Sequence, residues 1–279
     1  MTAPTLPQHS ADAAWSAVSG GWSTLREHVE TTKAALTERM LEVLALQPGQ
    51  HVVELGCGTG ELARRLAAQV TPTGRITATD VAVGMREVAR ATLADLPQVE
   101  VQAADAADTG LASGWADAVV FRMGPMLVQD PVAVAQEARR VLRPGGTYLA
   151  AVWAGPAENP WLSCVGMAAA MAGIVQGGPP VGPGGIFSLA DPEVFAQTAR
   201  DGGFTDVEVE EVQLAFAVRD HDHHLQVVSS LAGPLAAALR AATGEQLATL
   251  RTTIEQLTAQ YAGDAGLVLP AKALLLRAR

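Results

Sequence analysis

The feature that most constrains the fold is an alternation of strands and helices between residues 51 and 153. Short runs rich in β-branched residues, such as 51–55, 75–80 and 116–122, are separated by stretches whose apolar residues recur at helical spacing. Parallel strands need crossover helices of this kind, and such crossovers are right-handed. The alternation therefore predicts an α/β fold, with a doubly wound parallel sheet covered by helices on both faces.

Breaks in this alternation divide the chain into parts. Helical periodicity precedes the first strand, and an apolar stretch followed by a Gly/Pro tract at 177–185 interrupts the pattern after the fifth strand. No internal repeat is present. The predicted parts are an N-terminal helical cap (1–48), a ligand-binding core (49–154), a lid or insert (155–190) and the C-terminal part of the sheet (191–279) with a helical insertion (220–263).

The composition and net charge of the chain limit the kinds of partner that it is expected to bind. The chain has 19 Lys and Arg against 29 Asp and Glu, a net charge of −10, and is 49% hydrophobic, which excludes intrinsic disorder. An acidic surface disfavours nucleic acid and anionic membranes, and no apolar run reaches the roughly 20 residues of a membrane helix. The sequence has two cysteines and no signal-peptide pattern. We expect a cytoplasmic protein, monomeric or homodimeric, that acts on a small molecule without nucleic-acid or membrane partners.

The segment VVELGCGTGELA (52–63) carries the strongest functional signal. Three alternating glycines (56–60) stand between a buried strand and the start of a helix, where the backbone lets a ligand approach closely. Asp80 ends the second predicted strand, about 20 residues after the last glycine, where a carboxylate can accept ribose hydroxyls. Asp105 ends the third. These positions meet at the carboxyl edge of the sheet, where open α/β sheets bind their ligands.

Two glutamates distinguish this loop from a dinucleotide site. The G-x-G-x-x-G pattern would need glycine where Glu61 stands, and the carboxylate of Glu54 would repel a pyrophosphate. A carboxylate in that place suits a ligand with an ammonium group. Adenosine joined to an amino acid therefore fits better than NAD, and an NAD-dependent oxidoreductase is kept as a remote alternative.

The sequence resembles the class I S-adenosylmethionine-dependent methyltransferases in ELGCGTG (54–60), Asp80, Asp105 and ARRVLRPGG (138–146). The resemblance implies a Rossmann-like, doubly wound sheet of seven strands, mostly parallel with an antiparallel last strand, and N-terminal and inserted helical lid elements. It also implies S-adenosylmethionine as the cofactor and S-adenosylhomocysteine as the product.

Within that family the chain is most similar to a bacterial branch related to the ubiquinone and menaquinone-biosynthesis methyltransferases, of type 11 or 25. That branch often carries an N-terminal tryptophan pattern, here Trp15 and Trp22, then ENPW (158–161) after the fifth strand and a tail like that at 261–279. The similarity covers roughly residues 12 to 279.

The resemblance also implies which residues contact the cofactor. Glu54 would orient the ammonium group, Asp80 would hold the ribose, and Trp22 would close over the cofactor from the N-terminal helices. Asp105 and Ala106 would contact the adenine edge. The other implied contacts are with the methionine part (Gly56, Cys57, Gly58), the adenine (Val81, Met85) and the sulfonium end (Phe121, Arg122).

The acceptor side of the reaction carries weaker signals. Some members of the family have a histidine after the fourth strand, where this chain has MGPM (123–126), so no catalytic residue is predicted. A reactive nucleophile needs little more than alignment with the methyl group. Methionine adapts to irregular ligands, so an apolar acceptor pocket is predicted, although helical core explains the same residues equally well. The candidate lining residues are Met123, Met126, Trp161, Met167 and Met171.

These signals favour a hydrophobic or aromatic metabolite, methylated at oxygen or carbon, of the kind met in secondary metabolism. The histidines at 221, 223 and 224 lack the spacing of a metal site, so no metal is predicted, and His28 is either a base or a surface histidine. The main alternative is a protein that binds the cofactor but catalyses a cyclisation or rearrangement without methyl transfer.

Overall fold

The N-terminal segment of the chain is helical. The computed structural model describes residues 8–177, 180–264 and 266–279, so positions 178–179 of the predicted Gly/Pro loop lie outside the described residues. The N-terminal helices are α1 (Gln8–Ser16), α2 (Ser19–Thr24) and α3 (Arg26–Leu44).

The strand–helix alternation follows directly after the N-terminal helices. Its elements are β1 (His51–Glu54), α4 (Glu61–Val70), β2 (Arg75–Asp80), α5 (Val83–Thr92), β3 (Val99–Ala103), β4 (Ala116–Arg122), a 3₁₀ turn (Pro125–Leu127), α6 (Pro131–Val141) and β5 (Leu142–Trp153).

The remainder of the chain completes the sheet and adds helices on one side. Its elements are α7 (Pro160–Met171), α8 (Pro192–Asp201), β6 (Val207–Val218), α9 (His221–Leu231), α10 (Gly233–Ala241), α11 (Gly244–Thr258), a 3₁₀ turn (Ala259–Tyr261), β7 (Ala262–Gly263) and β8 (Gly266–Ala278).

The strands form one sheet in the order β3-β2-β1-β4-β5-β8-β6, with β7 paired to β8. Strands β1 to β5 are parallel, and β8 runs antiparallel to both β5 and β6. The predicted doubly wound, mostly parallel sheet is therefore confirmed. It has eight strands rather than seven, because the two-residue β7 adds a short pair at the start of β8.

Burial on both faces explains the sequence of the central strands. Val52 and Val53 are both fully buried, as expected for a parallel strand covered by helices on each side. Helix α4 buries Leu62, Leu66 and Val70, a stripe at helical spacing, and leaves its other face to solvent. These elements place the carboxyl ends of β1, β2 and β4 side by side at one edge of the sheet.

The start of β5 differs from the local sequence signal. The RPGG segment at 143–146 has the composition of a turn, which predicts a break between the preceding helix and the fifth strand. Instead β5 begins at Leu142, which pairs with Ala116, while the next pair in register joins Ala118 to Thr147. The extra residues of β5 bulge out between these two pairs, with Gly145 at a φ of 80°.

Among residues 8–177, 180–264 and 266–279, no helix has the length and apolar character needed to cross a bilayer.

Candidate functional site

The glycine loop leaves β1 at the carboxyl edge of the sheet and packs against the end of β4. Gly56 has a φ of 56°, and a Cβ atom there would lie 2.6 Å from Cε2 of Phe121. Gly58 has a φ of 54° but open space where its Cβ would be. The loop therefore needs glycine at 56 for both its backbone conformation and its close approach to the Phe121 ring.

Asp80 links the glycine loop to the turn that follows β2. Its Oδ2 accepts a hydrogen bond from the Gly58 backbone N–H at 2.9 Å, and its Oδ1 accepts one from Ala82 N–H at 2.8 Å. Burial raises the pKa of the Asp80 carboxyl, and these two hydrogen bonds act in the opposite direction. The carboxylate thus lies beside the loop, where the sequence predicted it.

Asp105 lies two residues beyond β3 rather than at its last position. It forms an isolated bridge with Asp108, and its Oδ1 accepts a hydrogen bond from Ala107 N–H at 2.9 Å. The adjoining Ala106 is half-buried. The two residues therefore sit in a tight turn at the same edge of the sheet as Asp80.

The N-terminal helices cover the turn after β2. Val18 packs with Ala82 and Met85 in a small apolar cluster, against which Trp15 and Trp22 also pack. The Trp22 indole N–H donates to the Leu231 carbonyl at 3.1 Å, which ties α2 to α9. Val81 remains 38% exposed. The structure therefore brings Trp22 and Met85 together and leaves Val81 at the rim.

Glu54 ends β1 and is buried, with 2% of its surface exposed. Its Oε2 has no hydrogen-bond partner in the described part of the chain. Burial raises the pKa of Glu54 to about 8, although the charge of Arg122 opposes the shift. A buried carboxyl oxygen without a partner is costly, which indicates a function for this group.

Arg122 ends β4 and is held by α3. Its Nη1 and Nη2 donate to the two carboxylate oxygens of Glu30, each at 2.8 Å, and Nη1 also donates to Thr37 Oγ1 at 2.7 Å. Lys33 Nζ lies 2.9 Å from Glu30 Oε1. Burial alone would raise the pKa of Glu30, but Lys33 and Arg122 outweigh it and lower that pKa to about 2.

Sequence reasoning missed the α3 residues of this group. Glu30, Lys33 and Thr37 come from a helix that precedes the motif, and Glu30 lies 92 residues before Arg122. Lys33 is 7% exposed, and burial, reinforced by the nearby charge of Arg122, lowers its pKa to about 8. Polar residues on the buried face of α3, where apolar residues are expected, are the signal that could have found them.

Cys57 lies within the glycine loop and is buried, at 6% exposure. Burial raises the pKa of its thiol, and the charge of Glu54 acts in the same direction. The thiol form, which is a poor nucleophile, is therefore favoured.

The five residues proposed for an acceptor pocket differ widely in their burial. Met126 and Trp161 are buried in the main core, at 1% and 8% exposure. Met167 and Met171 lie on α7 with 43% and 66% of their surfaces exposed. Met123 follows Arg122 directly, is half-buried and has a φ of 61°.

The histidines predicted not to form a metal site lie near an aromatic group. The rings of His28 and His223 are 5.7 Å apart, and each of His28 and His224 lies against Phe216. His224 is fully buried, and its Nε2 is hydrogen-bonded to the Trp161 carbonyl. No group of three metal-ligating side chains occurs in the described ranges of the chain.

Residues 52–146 match the family model of a methyltransferase domain, and this segment contains the glycine loop, Asp80, Asp105 and Arg122. Among curated proteins, the chain is 33% identical to the demethylmenaquinone methyltransferase of Symbiobacterium thermophilum over 106 residues, 37% of this chain and 42% of that protein. It is also 33% identical to the nocamycin O-methyltransferase of Saccharothrix syringae over 113 residues, 40% of each chain.

The curated similarity is confined to the core. The chain spans 35 to 45% of the length of the curated relatives that it matches first. The fold similarity extends further. The crystal structure of a proposed methyltransferase of Bacillus halodurans superimposes with a TM-score of 0.57 at 17% identity, covering 87% of this chain and 97% of that one.

Proposed function

We propose that this chain, which carries a class I S-adenosylmethionine-dependent methyltransferase domain, transfers a methyl group from S-adenosylmethionine to a small hydrophobic or aromatic metabolite. The match over residues 52–146 supports the domain, and the curated relatives support methyl transfer as the reaction. The observation that carries the proposal is the buried, unpartnered carboxyl oxygen of Glu54 beside the glycine loop.

The residues present fit the cofactor. The unpartnered Oε2 of Glu54 offers a buried acceptor for an ammonium group, and the Asp80 carboxylate lies next to the loop on the neighbouring strand. The glycines at 56 and 58 leave the loop backbone without side chains on that side. When bound, the cofactor supplies an electrophilic methyl group on a sulfonium.

The protein's own contribution to the reaction would be orientation and the exclusion of water. The N-terminal helices cover the turn after β2 through Val18 and Trp22, so water would be kept from the cofactor edge. Aligning an acceptor with the methyl group supplies much of the lowering of the barrier when the acceptor is already nucleophilic. A catalytic base is not required for such an acceptor.

Binding of S-adenosylhomocysteine, measured by isothermal titration calorimetry, tests the cofactor assignment. Asp80→Ala should weaken binding by about 10- to 100-fold, the range expected for losing a charged hydrogen-bond partner. Asp201→Ala is the matched control, because Asp201 is exposed at the end of α8. Absence of binding by the unaltered protein would overturn the proposed function.

The acceptor is tested by incubating the protein with methyl-labelled cofactor and a library of phenols, quinols and other apolar metabolites. Mass spectrometry should show label in a product only with active protein. Binding of S-adenosylhomocysteine together with a chemical change in a library member that carries no label would instead favour cyclisation or rearrangement. Label transferred to a highly charged, non-aromatic acceptor alone would contradict the proposed acceptor class.

A further inference from the structure

Five charged side chains are gathered where β1, β4 and the glycine loop meet the N-terminal helix α3. Glu54 and Arg122 end the two strands, and Glu61 is the first residue of α4. Glu30 and Lys33 project from α3. Glu54 feels the charges of the other four, which places all five in one electrostatic cluster.

The hydrogen bonds within this cluster are unevenly distributed. Arg122 is well satisfied, because its terminal nitrogens bond both oxygens of Glu30 and the hydroxyl of Thr37. Glu54 Oε2 and Glu61 Oε1 are each buried without a hydrogen-bond partner in the described residues. Two carboxyl oxygens at this end of the site are therefore available to accept hydrogen bonds from a cation.

Lys33 is the complementary group. An ammonium group has three N–H donors, and within the described ranges Lys33 Nζ has one hydrogen-bonding anion, Glu30 at 2.9 Å. Its Nζ also lies 5.7 Å from the centre of the Trp22 ring, on the helix that covers the site. A buried cation with unused donors that interacts electrostatically with the two glutamates has the charges that complement a zwitterion.

We propose that Lys33 binds the α-carboxylate of the cofactor's amino-acid tail while Glu54 and Glu61 receive its ammonium group. The proposal rests on the cofactor assigned under the proposed function and adds a ligand from the N-terminal helices, outside the segment that matches the methyltransferase domain. Arg122 acts one step away, because it holds Glu30 and thereby positions Lys33. The α3 helix thus contacts the carboxylate of the tail, whereas Glu54 and Glu61 at the sheet edge contact its ammonium group.

Three ligands that differ only in the tail separate these roles. S-adenosylhomocysteine carries both tail charges, its decarboxylated analogue 5′-(3-aminopropylthio)-5′-deoxyadenosine keeps only the ammonium group, and 5′-methylthioadenosine has neither. Calorimetry gives the dissociation constant of each ligand for the unaltered protein and for Lys33→Met, which keeps an unbranched side chain of similar size and removes its charge. Lys272→Met is the matched control, because Lys272 lies on β8 and pairs with Glu211.

Lys33→Met should weaken S-adenosylhomocysteine binding by about 10- to 100-fold, the effect expected for a hydrogen bond between charged groups. Binding of the decarboxylated analogue and of methylthioadenosine should change less than about threefold, because the carboxylate and Lys33 form one coupled pair. Lys33→Arg, which keeps the charge, should recover part of the affinity. Lys272→Met should leave all three constants unchanged.

Two outcomes would contradict the role of Lys33 and leave the proposed function intact. Equal weakening of all three ligands by Lys33→Met would mean that Lys33 supports the fold of the site rather than the carboxylate. Unchanged S-adenosylhomocysteine binding would mean that the carboxylate is held elsewhere. If the unaltered protein binds none of the three ligands, the cofactor assignment itself fails.

Discussion

Replacing Glu54 with glutamine should make the protein more resistant to alkaline conditions while weakening its binding of the cofactor. Glu54 is buried at the end of β1, and burial raises its pKa from 4.5 to about 8. Between pH 4.5 and about 8, the folded protein therefore keeps a proton on this carboxyl that the unfolded chain has released. The stability that this proton provides is fully present below pH 4.5 and is lost as the pH rises through about 8.

The size of the effect follows from the shift. A displacement of roughly 3.5 pKa units, at about 1.4 kcal/mol per unit, makes ionisation of the folded protein cost at most about 5 kcal/mol. Between pH 5 and pH 8, most of that cost develops, about 3 kcal/mol. Glutamine has the same shape and does not ionise. The free energy of unfolding of the unaltered protein, minus that of Glu54→Gln, should therefore fall by about 3 kcal/mol over this interval.

Urea unfolding followed by circular dichroism at pH 5, 6, 7 and 8 measures this difference. Other groups that titrate in the interval, including His224, are present in both proteins, so their contributions cancel in the difference. Glu87→Gln, on the exposed face of α5, is the control and should run parallel to the unaltered protein. Parallel curves for Glu54→Gln and the unaltered protein would refute the reasoning. So would undiminished binding of S-adenosylhomocysteine by the variant at pH 8.

Three further predictions concern the loop, the segment after β5 and the buried histidine. Gly56→Ala places a methyl group 2.6 Å from Phe121 and should lower the melting temperature more than Gly58→Ala, where the space is open; equal losses would contradict this. Asn159→Ala removes a fully buried amide that donates to three backbone carbonyls. It should lower the free energy of unfolding in urea by about 3 kcal/mol, and a loss under about 1 kcal/mol would contradict this. Burial lowers the pKa of His224 below its ordinary value of 6.5, so the folded protein loses stability as the pH falls below 6.5. In urea unfolding at pH 5 to 7, His224→Gln should show a smaller decline of the free energy of unfolding with falling pH, and an unchanged decline would contradict this.

The sheet was predictable because its strands are short, buried and separated by helices of regular period. Strands β2 and β4 have the bounds expected from their β-branched runs, 75–80 and 116–122. The misses lie where tertiary pairing overrides local signals. RPGG at 143–146 has the composition of a turn, but the pairing of Leu142 with Ala116 extends β5 in front of it. β7 is two residues long and exists through its pairing with β8.

The edge of the site was predictable for a different reason. A glycine loop must leave a strand at the end where ligands bind, and the carboxyl ends of adjacent parallel strands meet there, so the positions of Asp80 and Glu54 at this edge were predictable. No comparable topological rule locates a pocket for the acceptor. Methionine is as common in core as in pockets, and the structure buries Met126 while it exposes Met171. The roles of the individual site residues stay predictions until the ligand titrations are made.

The charged residues of α3 were missed because local spacing does not encode contacts 85 to 92 residues apart. Yet the helix departs from the binary pattern of its own buried stripe. Thr32, Lys33 and Thr37 are buried alongside Leu36 and Met40, where a helix that merely covers a sheet would carry apolar residues. Because burying a lysine destabilises the fold unless an anion pairs with it, such a residue on the inner face of a cap helix indicates an anion beside it. In this chain, Glu30 is one such anion, and the spare donors of Lys33 leave room for a second.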